Sequence, residues 1–215
     1  MGLHWEDIYG DDRKNRKRDV LICLVGASGT GKTTVAYALQ EKYGYNVLES
    51  YTTRPKRYKG EKGHTFVDEL QEAWNHFPWI EGKALPGNVI AYNKYNGFEY
   101  WATREQYKGK GISLYVVDVP GVEMLRHKVK DAKIVVIALW AELYRIKERL
   151  FEREGVYGQA DHGKLDAMVD AIDKRIVYDW EAFAVIPCDY SVDANTDLDT
   201  VVERVNGIIK DVANR

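Results

Sequence analysis

The sequence predicts an α/β protein: a three-layer sandwich around a mostly parallel sheet, with a small lobe inserted between two parts of the core. Three observations predict it. "VLICLV" (20–25), "ISLYVVDV" (112–119) and "KIVVIALW" (133–140) are short apolar runs on both alternations, as strands covered on both faces must be. Each leads into helix-like sequence, and strands alternating with helices imply a parallel sheet. The region 51–110 breaks the alternation and is rich in Tyr, Trp, Gly and Lys, so it reads as the insert.

Taken in order, residues 1–19 are polar, and "RKNRKR" (13–18) reads as a solvated lead-in rather than a nucleic-acid patch. The strand at 20–25 runs into "GASGTGKT" and then a helix, with Val35, Ala36, Leu39 and Tyr43 on one face and Gly44 as its stop. "YNVLES" (45–50) reads as a second short strand. In "AELYRIKERLFERE" the stripe is Leu143, Ile146, Leu150 and Phe151. Residues 152–175 are polar, acidic and Gly-containing, and read as a mobile segment between two helices. Leu198, Val201, Val202, Val205, Ile208, Ile209 and Val212 predict an amphipathic closing helix.

Composition narrows the function. With 45% hydrophobic residues the 215-residue chain can bury a full core without disulfides or metal. Cys23 and Cys188 match neither a CxxC pair nor a metal spacing, which fits the reducing cytoplasm. The start, "MGLHWEDIYGDD", lacks the apolar core of a signal peptide, and no apolar run is long enough to span a bilayer. A net charge of −2 gives no global field for long nucleic acid or an anionic membrane. Functional positive charge must therefore be local.

"GASGTGKT" (26–33) matches G-x-x-x-x-G-K-[ST] between a buried strand and a helix, the context that a phosphate-binding loop requires. Gly26, Gly29 and Gly31 let the backbone curl, so that the N–H groups of the loop, Ala27, Ser28, Thr30 and Thr34 included, surround one anion. Lys32 is placed for β- and γ-phosphates, and the Thr33 hydroxyl for Mg²⁺. Asp118 ends an apolar strand, where open sheets bind ligands. It is a candidate for holding Mg²⁺ or its waters, or else a cap on the following turn. "DVPG" also resembles the D-x-x-G of GTPase switches, but "NKYN" (93–96) precedes that strand and ends in Asn, so no guanine-reading N-K-x-D follows.

The most cationic stretch is "YTTRPKRYKGEKGHTFV" (51–67), in which Glu61 is the only acid. Arg54 and Arg57 flank a proline-stiffened turn. Beside a phosphate loop, such a pair can grip an acceptor phosphate through forked hydrogen bonds. Without one, it would read as a solvated loop.

Here the chain resembles the guanylate kinase family. The residues that carry the resemblance are "GASGTGKTT" (26–34), "SYTTRPKR" (50–57), "GEKGHTFV" (60–67), "VIAYNKYNGFEYWAT" (89–103), "LYVVDVPGV" (114–122), "ERLFEREG" (148–155) and "DANTDLD" (193–199). The resemblance implies a P-loop three-layer sandwich, with a core at 20–50 and 111–215, a nucleoside-monophosphate-binding lobe at about 51–110 and a lid at about 152–175. It implies an enzyme that uses ATP and Mg²⁺ to phosphorylate a nucleoside monophosphate, guanylate by default, and acts as a monomer or homodimer. By position, Ser50, Arg54, Arg57 and Tyr100 would hold the acceptor phosphate and Asp118 would sit between the two nucleotides. Arg149, Arg153 and Arg175 would stabilise the transferring group, and Asn195 would lie near the donor adenine.

The departures fall on base recognition. Where the family reads guanine with Glu and Ser or Thr, this chain has Ala91 and Ala102, and Trp101 replaces a Gly and would narrow the pocket. Asn93 or Asn96 could supply other contacts, or the site could be reshaped for a pyrimidine or modified base. Tyr92, Tyr95, Phe98, Tyr100 and Trp101 either stack on a base or pack the lobe. His64, where the family usually has Tyr, either contacts the acceptor phosphate or is an ordinary loop histidine. A non-catalytic phosphopeptide-binding module of the same fold is a further alternative, set against the intact Lys32 and Thr33.

Overall fold

The computed structural model describes residues 18–57, 59–67, 87–95 and 97–214. Asn96 and most of the basic run at 13–18 lie outside the described residues. The core is a five-stranded sheet of β1 (Asp19–Val25), β2 (Asn46–Leu48), β7 (Ile112–Val116), β8 (Ala132–Trp140) and β9 (Tyr190–Asp193), in the order β2-β7-β1-β8-β9. All its pairings are parallel. Strand β1 therefore lies at the centre, which is why its side chains must be apolar on both faces.

The alternation of β1 separates two cores. Ile22 and Leu24 point to one face, where Val35, Ala36 and Leu39 of α1 (Lys32–Tyr43) and Val201, Val205 and Ile209 of α5 (Leu198–Asn214) cover them. Leu21, Cys23 and Val25 point to the other, against Val122 and Leu125 of α2 (Val119–Lys128). The result is helix, sheet, helix, the mostly parallel α/β sandwich that the sequence predicts. Burial pushes the Cys23 thiol up to about 12, which makes it a packing group rather than a nucleophile. No helix among the described residues is long and apolar enough to cross a membrane.

The inserted region adds a second, four-stranded sheet in the order β4-β3-β6-β5, built from β3 (Ser50–Thr52), β4 (His64–Phe66), β5 (Val89–Tyr95) and β6 (Phe98–Thr103). Its faces are divided by register. Ala91 pairs with Ala102 and Asn93 with Tyr100 on one face, whereas Tyr92 pairs with Trp101 on the other. The "YNVLES" segment thus splits, Asn46–Leu48 joining the core sheet and Ser50 opening the second one.

The segment at 152–175, whose polarity suggests a mobile connection, is largely helical. Helix α3 (Leu143–Glu154) ends at Gly155, a short 3-10 turn follows, and α4 runs from His162 to Ala182. Asp161 caps α4 by accepting the Lys164 N–H at 3.1 Å. Leu165, Met168, Val169, Ile172 and Ile176 recur at helical spacing and pack on Ile146, Leu150 and Phe151 of α3. The exposed charges between them mask that stripe in the sequence.

Leu150 is 1% exposed and sits at the centre of this contact. Leu150→Ala should destabilise the protein by about 2–5 kcal/mol in urea unfolding, the usual cost of a buried cavity. A loss below about 1 kcal/mol would mean that α4 is not anchored through this cluster.

Candidate active site

The glycine-rich loop between β1 and α1 is shaped by close approach. Gly26 has φ 140°, and a Cβ there would lie 2.2 Å from the Leu139 carbonyl oxygen, so no other residue fits. The loop ends in the first turn of α1, where the N–H groups of Lys32, Thr33 and Thr34 have no intrahelical acceptor. Lys32 folds back, and its Nζ donates to the Gly26 and Ala27 carbonyls at 2.7 Å each. Burial pushes its pKa down to about 8, against the pull of Asp179 and with help from Arg175 and Arg153.

A cavity of about 860 Å³ is lined by Ser28 through Thr34 of this loop together with Arg149, Arg153 and Arg175. A second, of about 510 Å³, is lined by Ser50, Arg54, Tyr100 and Asp118 among others. Ser28, Lys32, Arg57, His64 and Arg175 line both, so the two cavities meet at one cationic junction.

The arginine loop is docked onto α1. The Gly63 N–H donates to the Tyr37 hydroxyl at 2.9 Å, and Tyr37 in turn donates to Glu49. Gly63, at φ 94°, comes so close to α1 that a Cβ would lie 3.3 Å from the Thr33 methyl. Within the loop, Arg54 is buried and forks onto Glu61, with Nη2 to Oε1 at 2.7 Å and Nη1 to Oε2 at 3.2 Å. Glu61 also accepts the Arg57 N–H at 2.7 Å. Against the penalty of burial, these bonds hold its carboxyl below the usual carboxylate range. The sequence signal for Glu61 was its being the one acid in a basic run.

The other expected residues are placed as follows. Arg149 donates to the Gly29 and Ala194 carbonyls at 3.1 and 2.9 Å, and Arg153 pairs with Glu154. Arg175 donates to Ser28 Oγ at 2.9 Å and lies over the Tyr95 ring. One turn further along α4, buried Asp179 accepts the Ser28 N–H at 2.6 Å, a contact that sequence reasoning missed. Asp118 caps α2 through the Gly121 N–H at 2.9 Å, accepts the Asn93 side-chain amide, and also lines the smaller cavity. His64 borders both cavities, edge-on to Tyr100. Burial first, and Arg54 second, push its pKa below the usual value. Ser50 Oγ is 2.9 Å from the Tyr115 hydroxyl.

Some expectations shift. Asn195 accepts from the Glu142 N–H and donates its amide to the Asp193 carboxylate, while its neighbours Ala194 and Thr196 line the larger cavity. Tyr92 borders the smaller cavity, but its ring packs with Tyr51 and Trp101 on the far face of the second sheet. Trp101 does not narrow the cavity: it is buried there, stacked on Tyr51 at 5.5 Å. Tyr95 does reach the site and packs against Tyr178 of α4 at 5.2 Å.

Known proteins align with this arrangement. A family described as an AAA domain matches residues 21–85. A guanylate kinase of Anaplasma phagocytophilum is 26% identical over 89% of this chain and 86% of its own. That of Novosphingobium aromaticivorans is 28% identical over 93% of this chain and 85% of its own. The crystal structure of guanylate kinase from Anaplasma phagocytophilum superposes with a TM-score of 0.56 at 20% identity, covering 93% of this chain and 89% of that one. In sequence and in backbone path, then, this chain resembles the guanylate kinases over most of its length.

Proposed function

We propose that the protein is a nucleoside monophosphate kinase, which moves the γ-phosphoryl group of ATP to a nucleoside monophosphate. The observation that carries this reading is the junction at which the glycine loop and the Arg54–Arg57 loop line adjoining cavities. Phosphoryl transfer needs little covalent help from the protein; it needs two anions held in line and their charge neutralised.

The residues fit ATP and Mg²⁺. The glycine curl and the free amides of the first turn of α1 suit a triphosphate, and Lys32 needs only to exchange two carbonyls for phosphate oxygens. Thr33, with Asp118, would hold Mg²⁺, which supplies charge neutralisation between donor phosphates.

Arg54, Arg57, His64 and Tyr100 grip the acceptor phosphate. One of its oxygens attacks the γ-phosphorus as the bond to the β-bridging oxygen breaks, giving the diphosphates of both nucleotides. Arg149, Arg153 and Arg175 stabilise the charge spread over the transferring group. Guanylate is the default acceptor by likeness to the named relatives. The intact Lys32 and Thr33 favour catalysis over a phosphopeptide-binding module.

Three variants test the assignment in an ADP-release assay. Lys32→Ala should lower kcat by at least about a hundredfold; near-normal kcat would remove the lysine from the reaction. Arg54→Ala should raise the acceptor KM by about thirtyfold or more, a loss of ~2 kcal/mol. Arg54→Lys, which keeps the charge without the fork, should recover part of it, whereas a defect confined to ATP binding would put Arg54 on the wrong nucleotide. Tyr37→Phe removes the hydroxyl that docks Gly63 and should raise the acceptor KM by about fivefold to tenfold, the worth of one hydrogen bond, with the ATP KM unchanged. An unaltered acceptor KM would mean that the loop is held by other contacts.

A further inference from the structure

The wall of the smaller cavity carries neutral hydrogen-bonding groups that phosphate chemistry does not use. Ser50 and Tyr115 are both buried, and their hydroxyls share one hydrogen bond of 2.9 Å. One proton lies between them, so the pair retains one O–H and spare lone pairs for a ligand. Asn93 gives one amide N–H to Asp118 and keeps a second N–H and its Oδ1. Burial raises the Tyr115 pKa far above its usual value, so the group is a hydroxyl throughout the working pH range.

The carboxylates are differently disposed. Among the described residues that line this cavity they are Asp118 and Asp179. Asp118 is turned to the Gly121 N–H and to Asn93, and the kinase reading gives its remaining lone pairs to Mg²⁺. Asp179 is turned to the Ser28 N–H on the glycine loop. Guanine presents two adjacent donors, N1–H and the 2-amino group, and the natural partner of such a pair is a free carboxylate. A uracil-type imide edge presents carbonyl, N–H, carbonyl. Groups that each donate and accept, such as an amide and a hydroxyl pair, match that edge.

Packing points the same way. Ala91, Ala102 and Tyr115 belong to one buried cluster. Ala91 reaches the cavity surface and offers no polar atom there, while Val117, Val119, Pro120 and Phe183 complete the apolar wall. A base with an apolar flank suits this floor.

We infer that the acceptor is a nucleoside monophosphate with a uracil-type base, uracil or its 5-substituted forms, read by Asn93 and by the Ser50–Tyr115 hydroxyl pair. This moves Ser50 from the phosphate to the base, and it rests on the kinase reading above. Discrimination follows from burial: a base that leaves these hydroxyls and the amide unpaired loses more than the bonds themselves.

The test is kcat/KM over a panel of GMP, dGMP, AMP, CMP, dCMP, UMP, dUMP and dTMP, for the wild type, Ser50→Ala and Tyr115→Phe, with binding of the same nucleotides to the wild type by calorimetry. Uracil-type acceptors should exceed guanylate by at least about tenfold, and each variant should reduce that ratio severalfold at unchanged ATP affinity. A preference for guanylate, adenylate or cytidylate, or variants that leave the ratio intact, would overturn the inference while the kinase reading stands. If no monophosphate is turned over, the kinase reading fails, and calorimetry still decides: tighter binding of dUMP or dTMP than of dGMP supports the base assignment, and any other order, or no binding, overturns it.

Discussion

The structure depends on holding like charges close together. Lys32, Arg54, Arg57, Arg149, Arg153 and Arg175 converge on two adjoining cavities, and unpaired they would repel one another and lose hydration. Each rests instead on an internal acceptor. Lys32 uses loop carbonyls, Arg149 the Gly29 and Ala194 carbonyls, and Arg175 the Ser28 hydroxyl. Arg54 and Arg57 share Glu61, which Arg57 meets with its backbone N–H and, at 3.8 Å, with its guanidinium, and Arg153 turns to Glu154. In the proposed reaction these are the partners that nucleotide phosphates would displace. The depressed Lys32 pKa follows first from burial; Arg175 and Arg153 add to it, and Asp179 opposes them.

Three parts of the chain are tied at this junction. The second sheet reaches the core through Gly63, Tyr37 and Glu49, and again through Asn93 and Asp118. Helix α4 reaches the glycine loop through Arg175 and Asp179, which sit one turn apart and bond the side chain and the backbone of the same Ser28. It reaches the second sheet through Tyr178 and Tyr95. Ser28 is therefore where the positions of α4 and the glycine loop are compared.

How much of this was legible in the sequence follows from how local each signal is. The central strands, α1 with its Gly44 stop, and the glycine loop are specified by neighbouring residues, and they form where the sequence places them. Helix α4 was missed because its apolar stripe is diluted by Asp166, Asp170 and Lys174, which are exposed, and by Asp173, which pairs with Lys147 of α3. The facing of residues 91–102 was misjudged at Trp101, since a β-bulge near Val89 and Ala91 and the register with β6 decide which ring meets the cavity. Glu61, Asp179 and Tyr115 carried no assigned role, because their partners are fixed by tertiary contact; for Ser28 and Asp179 these lie 151 residues apart.

The central claim is that two anion cradles, one of backbone amides and one of guanidinium forks, face a common gap. The most direct measurement is a crystal structure with a pentaphosphate-bridged dinucleoside, adenosine at one end and a second nucleoside at the other. The account requires a phosphate chain running from the amides of Gly29–Thr33 to the Arg54 and Arg57 guanidinium groups, with Glu61 released from at least one of them. A chain bound only along the glycine loop, with Arg54 and Arg57 still closed on Glu61 or turned to solvent, would contradict it.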